Sequence, residues 1–299
     1  TGAATNVAFN AWFVAFLGWG LAGAAFGTAL AQLVQAAVLC RYFTSPERTL
    51  RFAARQTRWL QLLKASYAGA AEFINEVSAG AIIWCINALL LARMGVEGVA
   101  AFGVVNYYVF ASLMLAYGIS DALHLLVSQN YGAGRRERIR AFADTALRCA
   151  LILGVLLAAL FVGARGPLAR WFLDAGETSI TELAGRLCLI VWPLFVVSSA
   201  NIALSCYLTA IQQPGPSASI ALLRGLFLPL ALLWSLARLS EPGPGGLGLP
   251  NWSFLLALPL AEWLTFGWAM FLRHRFRPEA LDLQPETEPS GPPTALAIS

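Results

Sequence analysis

Charge is what this chain has least of. Asp, Glu, Lys and Arg together make up 12% of its 299 residues, about half the share of a soluble domain, which excludes a water-facing globule of this size. Histidine occurs only twice and methionine three times, which leaves no HExxH-type metal motif. The five cysteines (Cys40, Cys85, Cys149, Cys188, Cys206) fall singly in apolar segments with no CxxC and no metal-ligand spacing. They read as small packed hydrophobes rather than as a disulfide or zinc framework. No nucleophile–base set stands out, so the chain is not read as an enzyme and no cofactor is expected. The net charge of +4 lies in the connections, which argues against a nucleic-acid partner.

What fills the sequence is apolar: 58% hydrophobic residues and a mean hydropathy of +0.66. Several runs exceed the ~20 helical residues needed to cross a ~30 Å hydrocarbon core. They are continuous rather than alternating, which argues against a β-barrel. The fold class is therefore all-α, a polytopic membrane helix bundle of about eight transmembrane helices with the lipid bilayer as solvent. The runs end near Leu17 and Arg41, then span about 66–92, 99–130, 139–163, 181–211, 217–238 and 252–272. The chain begins at Thr1, reads as membrane helix by residue 7 and shows no signal peptide. It reads as the inner part of a longer polypeptide.

Arginines fix an expected orientation. The 44–65 linker carries Arg48, Arg51, Arg55, Arg58 and Lys64; the 131–140 loop carries Arg135, Arg136, Arg138 and Arg140; the last run exits through Arg273, Arg275 and Arg277. The alternate connections are near neutral, so the basic ones are expected to be cytoplasmic. The linker is also amphipathic, which fits a helix lying on the membrane surface and equally a solvated connector. The Pro-rich segment 277–299 reads as a disordered cytoplasmic tail.

Polar residues inside the runs mark candidate sites, because an ionisable group in hydrocarbon is costly. Glu72 and Glu76 sit four apart in "YAGAAEFINEVSAGA" and share a helix face. At 1.5 Å per residue they lie roughly 9 and 15 Å in, so Glu72 can reach entrance water while Glu76 is near mid-membrane. Asn87 returns to the face of Glu76. In the next run Asn106, Tyr117, Asp121, His124 and Ser128 keep one side, with Asp121 roughly 14 Å from the cytoplasmic end. Asp121 and His124 are spaced to share a proton. Glu262 and Arg224 can form a buried ion pair with a structural role. Glu182 and Arg186 read as an interfacial pair, and Asn201, deep in its run, fits either role. Tyr107, Tyr108, Phe110 and Trp84 could offer rings to a ligand or simply pack. Pro193, Pro229 and Pro259 supply bending points. Ionisable groups at a common depth on bendable helices suit a cation-coupled carrier better than a pore, which needs polar residues along its whole length.

Two stretches carry a resemblance. "LGWGLAGAAFGTALAQ" (17–32) resembles the sixth helix of multidrug and toxic compound extrusion (MATE) transporters, and "SQNYGAGRRERIRAFADTAL" (128–147) the segment after their eighth helix, especially in the MepA-like branch. "RMGVEGVAAFGVVNYY", "NIALSCYLTAIQQP" and "WSFLLALPLAEWLT" also fit, so the likeness runs over residues 6–276. It implies that residues 1–43 are the last two helices of an amino-terminal lobe, that 44–65 joins the lobes, and that 66–276 is a complete six-helix lobe. About four helices would be missing. It further implies a bacterial plasma-membrane antiporter, monomeric when full length, exporting a small organic substrate in exchange for Na⁺ or H⁺. On this reading Glu76, Asp121, His124, Asn87 and Asn201 couple the ion, with Glu76 the one possible Na⁺ ligand and no other metal site. Asn201 falls near a position that is Asp in some branches, Asn10 at one that is often Asp, and Glu262 in a "PxaE" of MepA-like members. Glu72, Arg224 and Glu262 would support the site, and Asn106, Tyr107 and Tyr117 would line the substrate cavity. A lipid-linked saccharide flippase of the same superfamily and a non-transporting helical membrane protein are the alternatives.

Overall fold

The computed structural model describes residues 2–44, 59–68, 70–164, 178–241 and 248–281, and every regular element among them is helical. The chain divides into two compact units, Thr1–Lys64 and Ala65–Ser299.

In the first unit α1 (Gly2–Asn10) runs into a π-helical turn, Ala11–Phe16, and meets α2 (Gly20–Cys40), which ends in a 3-10 turn, Arg41–Thr44. Gly23, Gly27 and Ala31 are the buried residues of α2. They recur every four residues and so form one stripe, the small-residue pattern by which membrane helices approach closely. Asn6 Nδ2 donates to Thr28 Oγ1 at 3.2 Å, and Asn10 Nδ2 to Asn6 Oδ1 at 3.0 Å. The Asn6–Thr28 bond links α1 to α2 and fixes their register, while the Asn10–Asn6 bond joins successive turns of α1. A short helix, α3 (Trp59–Ala68), follows; Trp59, Leu60 and Leu63 on it are exposed. The linker arginines at 48, 51, 55 and 58 lie outside the described residues.

The unit boundary falls within α3, and the first helix wholly in the second unit is α4 (Ala70–Gly132). The sequence suggested a connection over 93–98, and two helices do meet there, across a kink at one non-helical residue, Gly95, at φ 67° and ψ −163°. That left-handed backbone is open to glycine at little cost and strained for a residue with a Cβ. The two limbs, 70–94 and 96–132, each exceed the ~30 Å of a hydrocarbon core. α5 (Arg136–Gly163) follows. The expected run 181–211 divides at Trp192 into α6 (Thr178–Val191) and α7 (Pro193–Ala210), because Pro193 cannot donate into the preceding turn. The next run is α8 (Pro214–Leu222), a π-turn (Leu223–Phe227) and α9 (Leu228–Leu239). The last is a 3-10 turn, Ser253–Leu256, leading into α10 (Ala257–Arg275). Six helical stretches among the described residues are long and apolar enough to cross a membrane, one of them containing both limbs of α4. This is a multi-pass membrane protein.

α7 is the central helix: 72% of it is buried, against 22% of an 18-residue apolar stretch of α5. One core cluster gathers Ile86, Leu90, Phe102, Val105, Leu187 and Phe195. A second gathers Leu123, Val127, Ile139, Leu147, Leu204 and Tyr207. On α7 the first cluster stops at Phe195 and the second starts at Ala200, so Ser198 and Asn201 lie where the two meet. α5 reaches α7 through Gly154, where an added Cβ would come within 2.5 Å of Phe195 O and would also overlap the Val196 carbonyl. Residues 277–281, at the start of the segment read as a disordered tail, pack against the bundle. Pro278 is buried in a 3-10 turn, and Leu281 is buried in the second cluster.

Candidate functional site

The π-turn on the α8–α9 stretch sets the site. Pro229 lacks an N–H and its ring would collide with the carbonyl four residues back. Widening the helix over Leu223–Phe227 moves that carbonyl aside. Arg224 sits in the widened turn, and its guanidinium reaches α10 and α7. Arg224 Nε donates to Glu262 Oε1 at 2.8 Å, and its NH2 group to Ser198 Oγ at 3.0 Å. Asn201 Nδ2 donates to Glu262 Oε2 at 2.6 Å and to the Glu262 carbonyl at 2.9 Å, and Ser198 Oγ donates to Glu262 Oε1 at 3.3 Å. The Arg224 and Glu262 side chains are only 15% and 12% exposed. The pair the sequence suggested is thus formed, with both carboxylate oxygens of Glu262 engaged. Such a pair is held by geometry and added hydrogen bonds rather than by net Coulomb gain, because desolvation takes back most of the attraction.

Beside this pair lies a cavity of about 230 Å³ that Arg224 and Asn201 line together with Tyr117, Ser120 and Asp121 of α4. Its far wall is a hydroxyl chain. Ser205 Oγ and Ser217 Oγ are 2.9 Å apart, Thr209 Oγ1 and Ser217 Oγ are 2.8 Å apart, and Ser217 also bonds the Ser205 carbonyl at 2.9 Å. Two polar atoms of the lining remain without a hydrogen-bond partner among the described residues: Asn201 Oδ1 and Ser120 Oγ. Asn201 is 0% and Ser120 2% exposed. An orphaned buried acceptor costs about 1–3 kcal/mol unless water or a solute completes it. Since Arg224 and Glu262 neutralise each other, Asp121 gives the cavity its remaining formal charge, which is negative.

The other sequence candidates are distributed as follows. Asn201, Tyr117, Asp121 and Arg224 meet at the cavity, and Glu262 backs it. His124 is exposed on the turn after Asp121, outside the lining. Asn87 and Asn106 are half-buried elsewhere, and Tyr107 is 62% exposed. Tyr108 packs edge-on against Phe161 at 5.4 Å. The Glu72 and Glu76 side chains lie outside the described residues, and only their helical backbone is described. No disulfide joins the five cysteines. Sequence reasoning passed over Ser198, Ser120, Ser205, Thr209 and Ser217. One signal was available: Ser198, Asn201 and Ser205 follow the three-and-four spacing of one helix face.

The MatE family model matches residues 70–233, more than half of the chain. The chain belongs to the MatE family. Among curated relatives it is 25% identical over 191 residues to the probable multidrug resistance protein NorM of Synechocystis sp., an alignment covering 62% of this chain and 38% of NorM. Solved structures share the fold. A MOP superfamily transporter from Pyrococcus furiosus superposes with a TM-score of 0.76 at 17% identity, over 92% of this chain and 61% of that one. A variant of the Vibrio cholerae MATE transporter VcmN superposes with a TM-score of 0.75 at 18% identity, over 93% and 61%. The chain therefore spans 38% of NorM and 61% of each of the two solved structures, less than two thirds of any of them. Within this MatE-family fold, the site just described lies wholly inside the second unit, in helices that the family model covers apart from α10.

Proposed function

We propose that this chain supplies one whole lobe and part of the other in a secondary antiporter that exports organic, often cationic, compounds in exchange for Na⁺ or H⁺. The protein would sit in a bacterial plasma membrane and act as a monomer, with the 44–65 linker, the 131–140 loop and the tail cytoplasmic. The observation that carries this reading is the net-negative cavity at Asp121, with Asn201 Oδ1 and Ser120 Oγ as buried acceptors lacking partners. Oxygen acceptors beside a carboxylate suit a hard monovalent cation, and equally a protonated amine that donates hydrogen bonds. A carboxylate at this depth is not tolerated against lipid, so the exposed face carrying Asp121 and His124 borders water.

The mechanism follows from charge. With Asp121 ionised the cavity attracts an organic cation. When Asp121 takes a proton or Na⁺ the attraction is cancelled and the organic cation leaves. His124, one turn along the helix, is placed to exchange that proton with the aqueous side. Glu262 stays out of this exchange because its oxygens are held by Arg224, Asn201 and Ser198. Glu76, on the first limb of α4, is the second coupling group. The test is ethidium extrusion by the full-length protein in an efflux-deficient host under Na⁺ and pH jumps, with Asp121→Asn and Glu76→Gln alongside. Each variant should lose gradient-driven extrusion. Extrusion indifferent to both gradients would sink the coupling, and unchanged transport in Asp121→Asn would sink the role of the cavity.

A further inference from the structure

A second cavity, of about 390 Å³, opens at the arginine-rich end of the second unit, where α5, α7, α10 and the 3-10 turn Pro278–Ala280 meet. Its polar lining is Arg140, Asp144, Arg273, His274, Arg277 and Glu279, and its inner wall includes Tyr207, Met270 and Ala143. Two of the arginines are held in place by carboxylates. Arg140 NH1 meets Glu279 Oε1 at 2.9 Å and its Nε lies 3.9 Å from Asp144, while Arg273 pairs with the other Asp144 oxygen. Tyr207 OH donates to the Phe276 carbonyl at 2.8 Å, which ties the chain after α10 across the opening. Three arginines thus face two carboxylates, and Arg277 makes no ion pair within 4 Å among the described residues, leaving one positive charge uncompensated. Each guanidinium has five N–H donors, so Arg140 and Arg273 keep several that their carboxylates do not use.

We infer that this cavity binds the phosphate of an anionic phospholipid headgroup. The chemistry is that of fixed arginine forks, which suit phosphate oxygens better than a mobile ammonium does. The shape adds apolar wall residues, Met270 and Ala143, against which the first methylenes of the acyl chains can pack. The location is the end of the bundle carrying Arg135, Arg136, Arg138 and Arg275 as well. That is the end the positive-inside rule assigns to the cytoplasmic leaflet, where anionic lipids concentrate and basic pockets between membrane helices take their headgroups. The site is separate from the Asp121 cavity and does not depend on which solute is carried.

The test uses the purified full chain, with bound lipid read by native mass spectrometry and the thermal midpoint followed as lipid is titrated. The probes are phosphatidylglycerol, phosphatidylcholine, and soluble glycerol 3-phosphate. Phosphatidylglycerol should be retained and should raise the midpoint, while phosphatidylcholine does so far less and glycerol 3-phosphate little. Arg277→Gln should weaken phosphatidylglycerol about tenfold, the loss of one charge-assisted contact, and Arg277→Lys should restore part of it. Met270→Phe, which fills the cavity and leaves every charge, should weaken it too. Arg238→Gln, at the opposite end of the bundle, should leave it unchanged. Equal retention of the two lipids, or Arg277→Gln and Met270→Phe both binding like the parent, would overturn the site. Glycerol 3-phosphate matching phosphatidylglycerol would overturn the lipid as its source.

Discussion

Replacing Glu262 by Gln tests whether the Arg224 pair is a fixed counter-ion. The carboxylate of Glu262 accepts from Arg224, Asn201 and Ser198, and both members of the pair are nearly buried. Gln keeps the volume and one carbonyl acceptor but leaves the guanidinium at 15% exposure with no opposing charge. Breaking a buried pair from one side costs about 3–5 kcal/mol. The reverse change, Arg224→Met, should cost less, because a carboxylate can shed its charge by taking a proton whereas a guanidinium cannot. The double variant Arg224→Met/Glu262→Gln, with no charge left, should recover most of the loss. At about 2–4 °C per kcal/mol for a domain of this size, Glu262→Gln should lower the unfolding midpoint by about 6–20 °C. Thermal unfolding of the four proteins in one detergent measures this as a double-mutant cycle. A Glu262→Gln protein within about 2 °C of the parent, or a double variant no more stable than Glu262→Gln, would refute the counter-ion reasoning. Swapping the roles, with Arg224→Met the worse single change, would refute the asymmetry.

Three further outcomes are expected. Gly154→Ala should lower the midpoint, by about 1–3 kcal/mol of overpacking, because its methyl would overlap the Phe195 and Val196 carbonyls; Gly80→Ala, with nothing within 4 Å, should not, and equal effects would remove the close approach as cause. Gly95→Ala should cost about 1–3 kcal/mol, because φ 67° with ψ −163° is a conformation essentially confined to glycine, read in the same assay, and a neutral result would mean the limbs re-register. Glu279 has its carboxyl held below the usual range by a hydrogen bond from its own backbone N–H, with Arg140 and Arg277 adding to it and desolvation opposing. A depressed carboxylate stabilises above its unfolded value of about 4.3 and loses that contribution as pH falls through the folded value. Amide protection factors over 277–281, corrected for the intrinsic pH dependence of exchange, should therefore be highest at neutral pH and fall below about pH 4, and Glu279→Gln should abolish that step; an unchanged profile would show the turn is held by packing alone.

Much of the fold was legible because lipid imposes a simple rule: a spanning segment must satisfy its own backbone. Apolar runs and arginine-bearing ends were therefore enough to outline the helices. Pro193 and Pro229 also acted where the sequence placed them, since a missing N–H breaks or widens a helix wherever it falls. Gly95 was harder. Its neighbours "RMGVEG" read as a loop by composition, but one left-handed residue suffices and the helix resumes at once. The hydroxyls were harder still: apart from the shared face of Ser198, Asn201 and Ser205, little marked them. Ser and Thr in membrane helices commonly bond a carbonyl on the preceding turn, as Ser112 does to Val109 O at 2.7 Å, so their presence carries little information until a neighbouring helix is known. Ser198 differs from Ser112 only in what faces it.

The placement of Arg224 also changes what the acids of this lobe can do. From sequence, Asp121 and Asn201 were candidates to meet a coupling ion, while Glu262 was read with Arg224 as a structural ion pair. In three dimensions Asn201, which lines the cavity, turns its amide N–H groups to Glu262 and leaves its buried oxygen without a hydrogen-bond partner among the described residues. One residue therefore joins two environments of opposite character: a closed ion pair that resists losing either charge, and a polar space that lacks partners. If Asp121 loads and releases a cation, Asn201 Oδ1 gains and loses a hydrogen-bonding or coordinating partner with it. That couples the cavity to α10 through a single rigid amide. Asn201→Asp would put a second carboxylate against Glu262 and compete for Arg224, so it should disturb the pair before it improves cation binding. Asn201→Leu should leave Arg224–Glu262 assembled, uncouple it from the cavity, and weaken cation dependence of transport while sparing thermal stability relative to Glu262→Gln. Asn201→Leu that unfolds as readily as Glu262→Gln would mean the amide is part of the ion pair's support rather than its link to the cavity.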